Sequence, residues 1–211
     1  MPNVPSRPLT RIYRWVAFAS ILVCGGLVIT RDHWLRGLAT SLVCQESLGI
    51  SDAVVIDNVN NNYLLFERAQ NLQARGVAET VLIPIMTSET YGQPESVSLG
   101  IVQVLCQASR LRNCVTFWVP SSEPISLNIA KRSAEELQAR GARSVIIITD
   151  GFRSRRSAEI YTHVFRPRGL TNYIQPVFGR QTPGNWFKSL HGLQDIGLQL
   201  IKLWYYRIVI F

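Results

Sequence analysis

Ser144-Val145-Ile146-Ile147-Ile148-Thr149-Asp150-Gly151-Phe152-Arg153-Ser154-Arg155-Arg156 decides the fold. Its first part is a continuous β-branched run, the mark of a strand buried on both faces of a parallel sheet. A polar turn with Gly151 follows, and then Ser154–Phe165, which reads as a helix. The same strand-to-helix alternation extends in both directions. Upstream, Ala53–Ile56 is a short apolar run, and Asn62–Ala74 carries Leu65, Ala69 and Leu72 at helical spacing. Thr80–Ile85 is again a strand. A helix with Val97, Ile101, Val104, Leu105, Ala108 and Leu111 on one face comes next. Val115–Val119 is β-rich, and Leu127, Ala130, Ala134 and Leu137 mark another helix. Downstream, Tyr173–Val177 is the last strand, and a long helix runs from about Lys188 to Arg207. Five strands alternating with helices predict an α/β fold with a mainly parallel sheet and right-handed crossovers.

A short repeat supports this register. Leu72-Gln73-Ala74-Arg75-Gly76 recurs as Leu137-Gln138-Ala139-Arg140-Gly141. Each copy ends a helix with Gly at the left-handed cap, and a strand follows. No Gly/Ser/Pro-rich linker divides residues 45–211, so they are expected to form one domain.

The chain has 211 residues, 47% apolar and only 17% charged, which excludes a disordered or low-complexity class. Four Cys do not make a disulfide scaffold. Cys106 and Cys114 are either a pair in an oxidising compartment or two independent half-buried thiols. The three His lie far apart, with no H-E-x-x-H or C-x-x-C spacing, so no metal site is expected. The net charge of +8 is uneven. Residues 1–31 hold four Arg and no acid, residues 32–150 are net −3, and residues 151–211 are net +7. With an acidic middle and no helix-turn-helix or aromatic–basic platform, no nucleic-acid partner is expected.

Trp15–Thr30 is uncharged over 16 residues. With Ile12 and Tyr13 it approaches the roughly 17–25 residues that span a bilayer. Arg7, Arg11 and Arg14 precede it, and Tyr13 and Trp15 are suited to the interface. The positive-inside rule then gives a single-pass anchor over residues 1–36, N-terminus cytoplasmic and main domain extracytoplasmic. A cleaved signal peptide and a buried soluble helix are the alternatives.

Ligands of open parallel sheets bind beyond the carboxyl ends of the strands. Four polar loops occupy that edge here, beginning at Asp57, Thr87, Pro120 and Asp150. The fourth opens a helix and carries Arg153, Arg155 and Arg156. Guanidinium groups beside free backbone N–H groups suit phosphate or carboxylate; the plain alternative is a solvated basic surface, and Arg155 in particular has the position of a residue facing water. Asp57 suits a general base or a metal ligand, and equally a cap of the Asn-rich turn. Glu123 suits a base or a partner of the helix dipole, and Ser126 is an N-cap for a helix starting at Leu127. There is no G-x-S-x-G elbow and no G-x-G-x-x-G after the first strand, so neither a serine hydrolase nor a standard dinucleotide site is indicated.

In this order, the loops resemble the YdcF-like family of envelope proteins that includes SanA and ElyC, over roughly residues 50–207. The likeness rests on four stretches: Asp52–Ile56 with Arg68, Ala69, Leu72 and Gly76; Glu123-x-x-Ser126-x-Asn128; Thr149–Arg156; and Trp186-Phe187 with Lys202–Tyr206. The family's Gly-rich first turn is here Asp57–Asn61, its His in the fourth loop is Arg153, and the Thr of its S-x-N-T stretch is Ile129. The resemblance implies a Rossmann-like three-layer domain that serves the cell envelope or surface-polysaccharide biogenesis. Combined with the loops, it gives an expected ligand site of Asn58, Glu123, Ser126, Asn128, Asp150, Arg153 and Arg156. The expected partners are the membrane and an anionic small-molecule or lipid-linked ligand; no cofactor is indicated. Two alternatives stand beside a binding role. One is a transferase or hydrolase acting on an envelope precursor, with Asp57 or Glu123 as base. The other is a nucleotide-type binder, as for S-adenosylmethionine, which requires cytoplasmic access.

Overall fold

The computed structural model describes residues 7–45, 49–57, 62–87 and 96–211. The chain divides into two units, residues 1–38 and 39–211. The first holds helix α1 (Arg7–Ile29) and most of α2 (Arg31–Ser41). The side chains of Trp15, Phe18, Ile21 and Leu22 on α1 are exposed. Those of Arg7, Arg11, Ile12 and Arg14, on which the expected anchor also rests, lie outside the described ones. Among the described residues no helix is long and apolar enough to cross a membrane.

The second unit is the α/β domain. Its strands are β1 (Ala53–Ile56), β2 (Thr80–Met86), β3 (Cys114–Val119), β4 (Ser144–Asp150) and β5 (Thr171–Val177). They form one parallel sheet in the order β3-β2-β1-β4-β5. Between them run α3 (Tyr63–Ala74), α4 (Ser96–Ala108), α5 (Ile125–Ala139) and α6 (Ser154–Phe165), and α7 (Leu190–Tyr205) closes the chain with a π-helical turn, Tyr206–Ile210.

Alternate strand residues feed two cores. Val55, Val145 and Ile147 point to the layer that holds Ile129, Ala134, Ile160 and Phe165 of α5 and α6. Val54, Ile146 and Ile148 point the other way, to Leu65, Phe66 and Leu72 of α3 and Val102 of α4. Residues β1 and β4 are therefore buried on both faces, which is why their sequences do not alternate. The paired Gly76 and Gly141 take φ of 68° and 69°, a left-handed turn that a Cβ would strain, so the repeated joint is the same cap used twice.

Two expectations change. The core-facing side of α4 holds Val102 and Cys106, whereas Val97 and Val104 are exposed. This helix is apolar nearly all round, so its periodicity does not single out one face. The domain also begins before residue 45. Ala39 and Leu42 are buried, the Cys44 N–H donates to Ser154 Oγ at 2.9 Å, and the Arg155 N–H donates to the Leu42 carbonyl at 3.0 Å.

Candidate functional site

The strand order reverses direction between β1 and β4, which makes their carboxyl ends the topological switch point of the sheet. Asp57 follows β1 directly, and its N–H continues the ladder by donating to the Ile148 carbonyl at 2.8 Å. Its carboxylate is buried and fully engaged. Oδ2 accepts from Ser157 Oγ at 2.7 Å and Thr149 Oγ1 at 3.2 Å, and Oδ1 accepts from Arg153 Nη2 at 3.0 Å. The ion pair is almost entirely shielded from solvent. Asp57 thus does not offer a free base to a substrate, and it does not line the crevice. It anchors Arg153.

Arg153 then lies against the α5 side, where Nη2 also donates to Ser126 Oγ at 3.3 Å. Ser126 is therefore not the cap of α5. The helix starts at Ile125, Pro124 holds the cap position, and Glu123 Oε2 accepts from the Ile125 N–H at 3.1 Å. Asn128 turns back to the Ser122 carbonyl at 2.8 Å, which shapes the loop without entering the crevice. Asn58 lies outside the described residues. Asp52, in the first stretch of the resemblance, is at the opposite edge of the sheet. It accepts from the N–H groups of Arg143 and Ser144, each at 2.8 Å, and these bonds hold its carboxyl below the usual range.

The crevice is a cavity of about 660 Å³ lined by Glu123, Ser126, Asp150, Arg153, Arg156 and, from α7, Asp195, Gln199, Lys202, Tyr205 and Tyr206. A second hollow, about 770 Å³, adjoins it and shares Asp150 and Asp195. Gly151 lies between β4 and α6 with the Phe178 ring over it, and a Cβ there would come within 2.1 Å of that ring. Asp150 accepts from Asn62 Nδ2 at 2.7 Å, and burial pushes its carboxyl above the usual range.

Arg153 and Arg156 each bury an Nε without a hydrogen-bond partner among the described residues, but only Arg153 has an ion-pair partner at hydrogen-bond distance there. The Arg156 side chain is only 5% accessible. Its guanidinium carbon sits 5.8 Å from the centre of the Tyr206 ring. Burial, and then the charge of Arg153, lower its pKa to about 10. Lys202 faces the same cavity, and partial burial followed by the charges of Arg156 and Arg153 lower its pKa as well. Three cations converge on one cavity with three carboxylates, Glu123, Asp150 and Asp195, while Asp57 holds Arg153 from behind. Arg155, expected to face water, instead donates from Nη2 to the Val43 carbonyl at 3.1 Å, away from this group.

Asp195 and Gln199 escaped sequence reasoning, and Tyr205, like its neighbours, entered only with the Lys202–Tyr206 stretch. They come from α7, about 40 residues beyond the Arg-bearing loop, and no local pattern ties the two together; Lys202 and Tyr206 were visible only through the resemblance. The thiols of Cys106 and Cys114 meet between α4 and β3. Their mutual hydrogen bond, helped by burial, raises the Cys106 pKa, while that bond lowers Cys114. They are neither independent nor joined by a disulfide.

Fold and site together define a doubly wound parallel α/β domain with a crevice at its switch point that is lined by both arginine/lysine and carboxylate side chains. No family profile, curated protein or solved structure matches the chain.

Proposed function

We propose that the α/β domain binds an anionic ligand, of the phosphate- or glycan-lipid type, in the crevice between Glu123 and α7. The observation that carries this is Arg156: a buried guanidinium that lines the cavity, its Nε without a hydrogen-bond partner among the described residues, beside Arg153 and Lys202. Burying a charge without a hydrogen-bonded partner is costly, and an anion supplies one. The N–H groups at the start of the α6 region add to the same field. Arg153 is held by Asp57 and so is pre-positioned; Arg156 and Lys202 supply donors that no hydrogen-bonded carboxylate occupies among the described residues.

The wider reading joins this site to the Arg residues ahead of the uncharged Trp15–Thr30 run. A single-pass anchor with the domain outside the cytoplasm would bring the crevice to lipid-linked envelope precursors, in line with the family resemblance. Binding of inorganic pyrophosphate and of a detergent-dispersed alkyl phosphate, measured by calorimetry on wild type and Arg156→Ala, tests the site. Equal binding by the two proteins overturns it. A C-terminal reporter active only after export tests the topology, and its inactivity beside an active cytoplasmic reporter overturns that part alone.

A further inference from the structure

We propose that the outward face of α7, together with the turn that ends it, docks on an anionic bilayer surface. Leu190, Leu193, Ile201, Trp204 and Ile208 lie three, eight, three and four residues apart, with Gly197 in the gap, so they share one side of the helix. All are exposed, Ile201 and Ile208 to 69% and 75%. The opposite side is the one the domain uses: Ile196, Leu203 and Tyr206 are buried. Gly192 also fixes this orientation, because a Cβ there would come within 2.0 Å of the Trp186 carbonyl oxygen. The helix thus cannot turn its apolar side inward without giving up its existing packing. An apolar stripe of this length, interrupted at Gly197, exceeds the scattered exposed side chains of an ordinary surface.

The charges around the stripe select the occupant. Residues 178–211 carry Arg180, Lys188, Lys202 and Arg207 against Asp195 alone. Lys188 precedes Leu190 and is exposed, whereas Lys202 lies on the crevice side of the helix. Arg207 pairs with Glu159 and lies 5.5 Å from the centre of the Trp204 ring. Anionic headgroups complement Lys188 and the net positive charge of residues 178–211, whereas a second copy laid stripe to stripe would bring equal charges together. Trp204 and the exposed Tyr205 are the aromatic types that favour the headgroup level. The same helix turns Gln199, Lys202 and Tyr206 to the crevice. Docking therefore places the crevice within about one helix diameter, roughly 10 Å, of the lipid surface. This surface stands on exposure and spacing and does not depend on what the crevice binds.

The test uses the full chain reconstituted in phosphatidylcholine vesicles with and without phosphatidylglycerol, with bromine on the acyl chains. Subtracting the emission of Trp204→Phe from that of wild type isolates Trp204 from the other four Trp. Quenching of the Trp204 component to half or less in phosphatidylglycerol vesicles is expected. Ile201→Glu combined with Ile208→Glu should restore most of the emission while leaving helical circular dichroism unchanged. An unquenched Trp204 overturns the proposal, as does equal quenching without phosphatidylglycerol. Trp204 shielded from acrylamide only at high protein density in unbrominated vesicles would assign the face to a second copy, also against the proposal. Because the wild-type measurement stands alone, misfolding of the double variant does not rescue a negative result.

Discussion

Arg153 Nη2 donates to Asp57 Oδ1 at 3.0 Å, linking the first residue after β1 to the loop after β4 across the switch point of the sheet. Both partners are nearly inaccessible, and Ser157 and Thr149 satisfy the remaining carboxylate oxygen. Breaking one side of such a pair strands a buried charge, at a cost of about 3–5 kcal/mol. Asp57→Asn should lower the unfolding free energy by that amount, read from the shift of the denaturant midpoint multiplied by the slope. Replacing both, as Asp57→Asn with Arg153→Met, should cost less than Asp57→Asn alone. A double-variant loss equal to the sum of the single losses would show that the two residues act separately.

Arg156 makes the opposite prediction for stability. Its pKa in the folded chain, about 10, is below the ordinary 12.5 of the guanidinium. The folded state therefore disfavours its proton, and the penalty is present in full below pH 10. It lifts as pH rises from there toward 12.5. Arg156→Met should raise the melting temperature of the ligand-free protein near neutral pH by about 2–8 °C, for a gain on the order of 1–2 kcal/mol. The same variant should bind pyrophosphate about 10- to 150-fold more weakly, the equivalent of roughly 1.5–3 kcal/mol for a charge-assisted contact. Arg156→Lys should recover only part of the binding, because an ammonium lacks the planar fork. A destabilised Met variant would show that Arg156 is a structural residue.

The contrast between these two arginines was only half legible in the sequence. Ile146–Ile148 announced a central strand, and three Arg after it announced a cationic helix start. Which Arg is neutralised depends on Asp57, nearly 100 residues upstream, and that pairing follows from the strand order. Ser126 was misplaced by one turn of logic: Ser is a good cap, but Pro124 and Glu123 start the helix first, which frees its hydroxyl for Arg153. The α7 wall was hidden for another reason. Asp195, Gln199 and Lys202 lie on the polar side of a helix whose exposed side is apolar, so its pattern suggests the reverse orientation.

Arg155 separates the site from its support. It holds the Leu42 and Val43 carbonyls through its N–H and Nη2, at 3.0 and 3.1 Å. Arg155→Ala should leave pyrophosphate affinity unchanged within about twofold and cost about 1 kcal/mol of stability, the value of one hydrogen bond. A chain starting at residue 39 should be markedly more stable than one starting at residue 45, which lacks the buried Leu42 side chain, worth about 1.5–3 kcal/mol. Loss of binding in Arg155→Ala with stability intact would turn the focused crevice into a diffuse basic face.

Lys202 gives the site a proton signature. Its pKa lies below the ordinary 10.5, first through partial burial and then through the charges of Arg156 and Arg153. A bound anion offsets both neighbouring charges, so it should return the pKa toward its ordinary value. Binding then favours the protonated lysine. Affinity should be greatest below the lowered pKa and fall as pH rises through it toward 10.5, and binding in that window should take up protons. Calorimetry of pyrophosphate binding in two buffers of different ionisation enthalpy reads the uptake directly. Lys202→Met should abolish it and weaken binding severalfold, with no change in the stability gain of Arg156→Met, since Lys202 is largely solvated. Uptake that persists in Lys202→Met would assign the proton to Arg156, whose pKa near 10 titrates in the same range. Arg156→Met in the same two buffers distinguishes the two: uptake retained there, and lost in Lys202→Met, fixes the lysine as the titrating group.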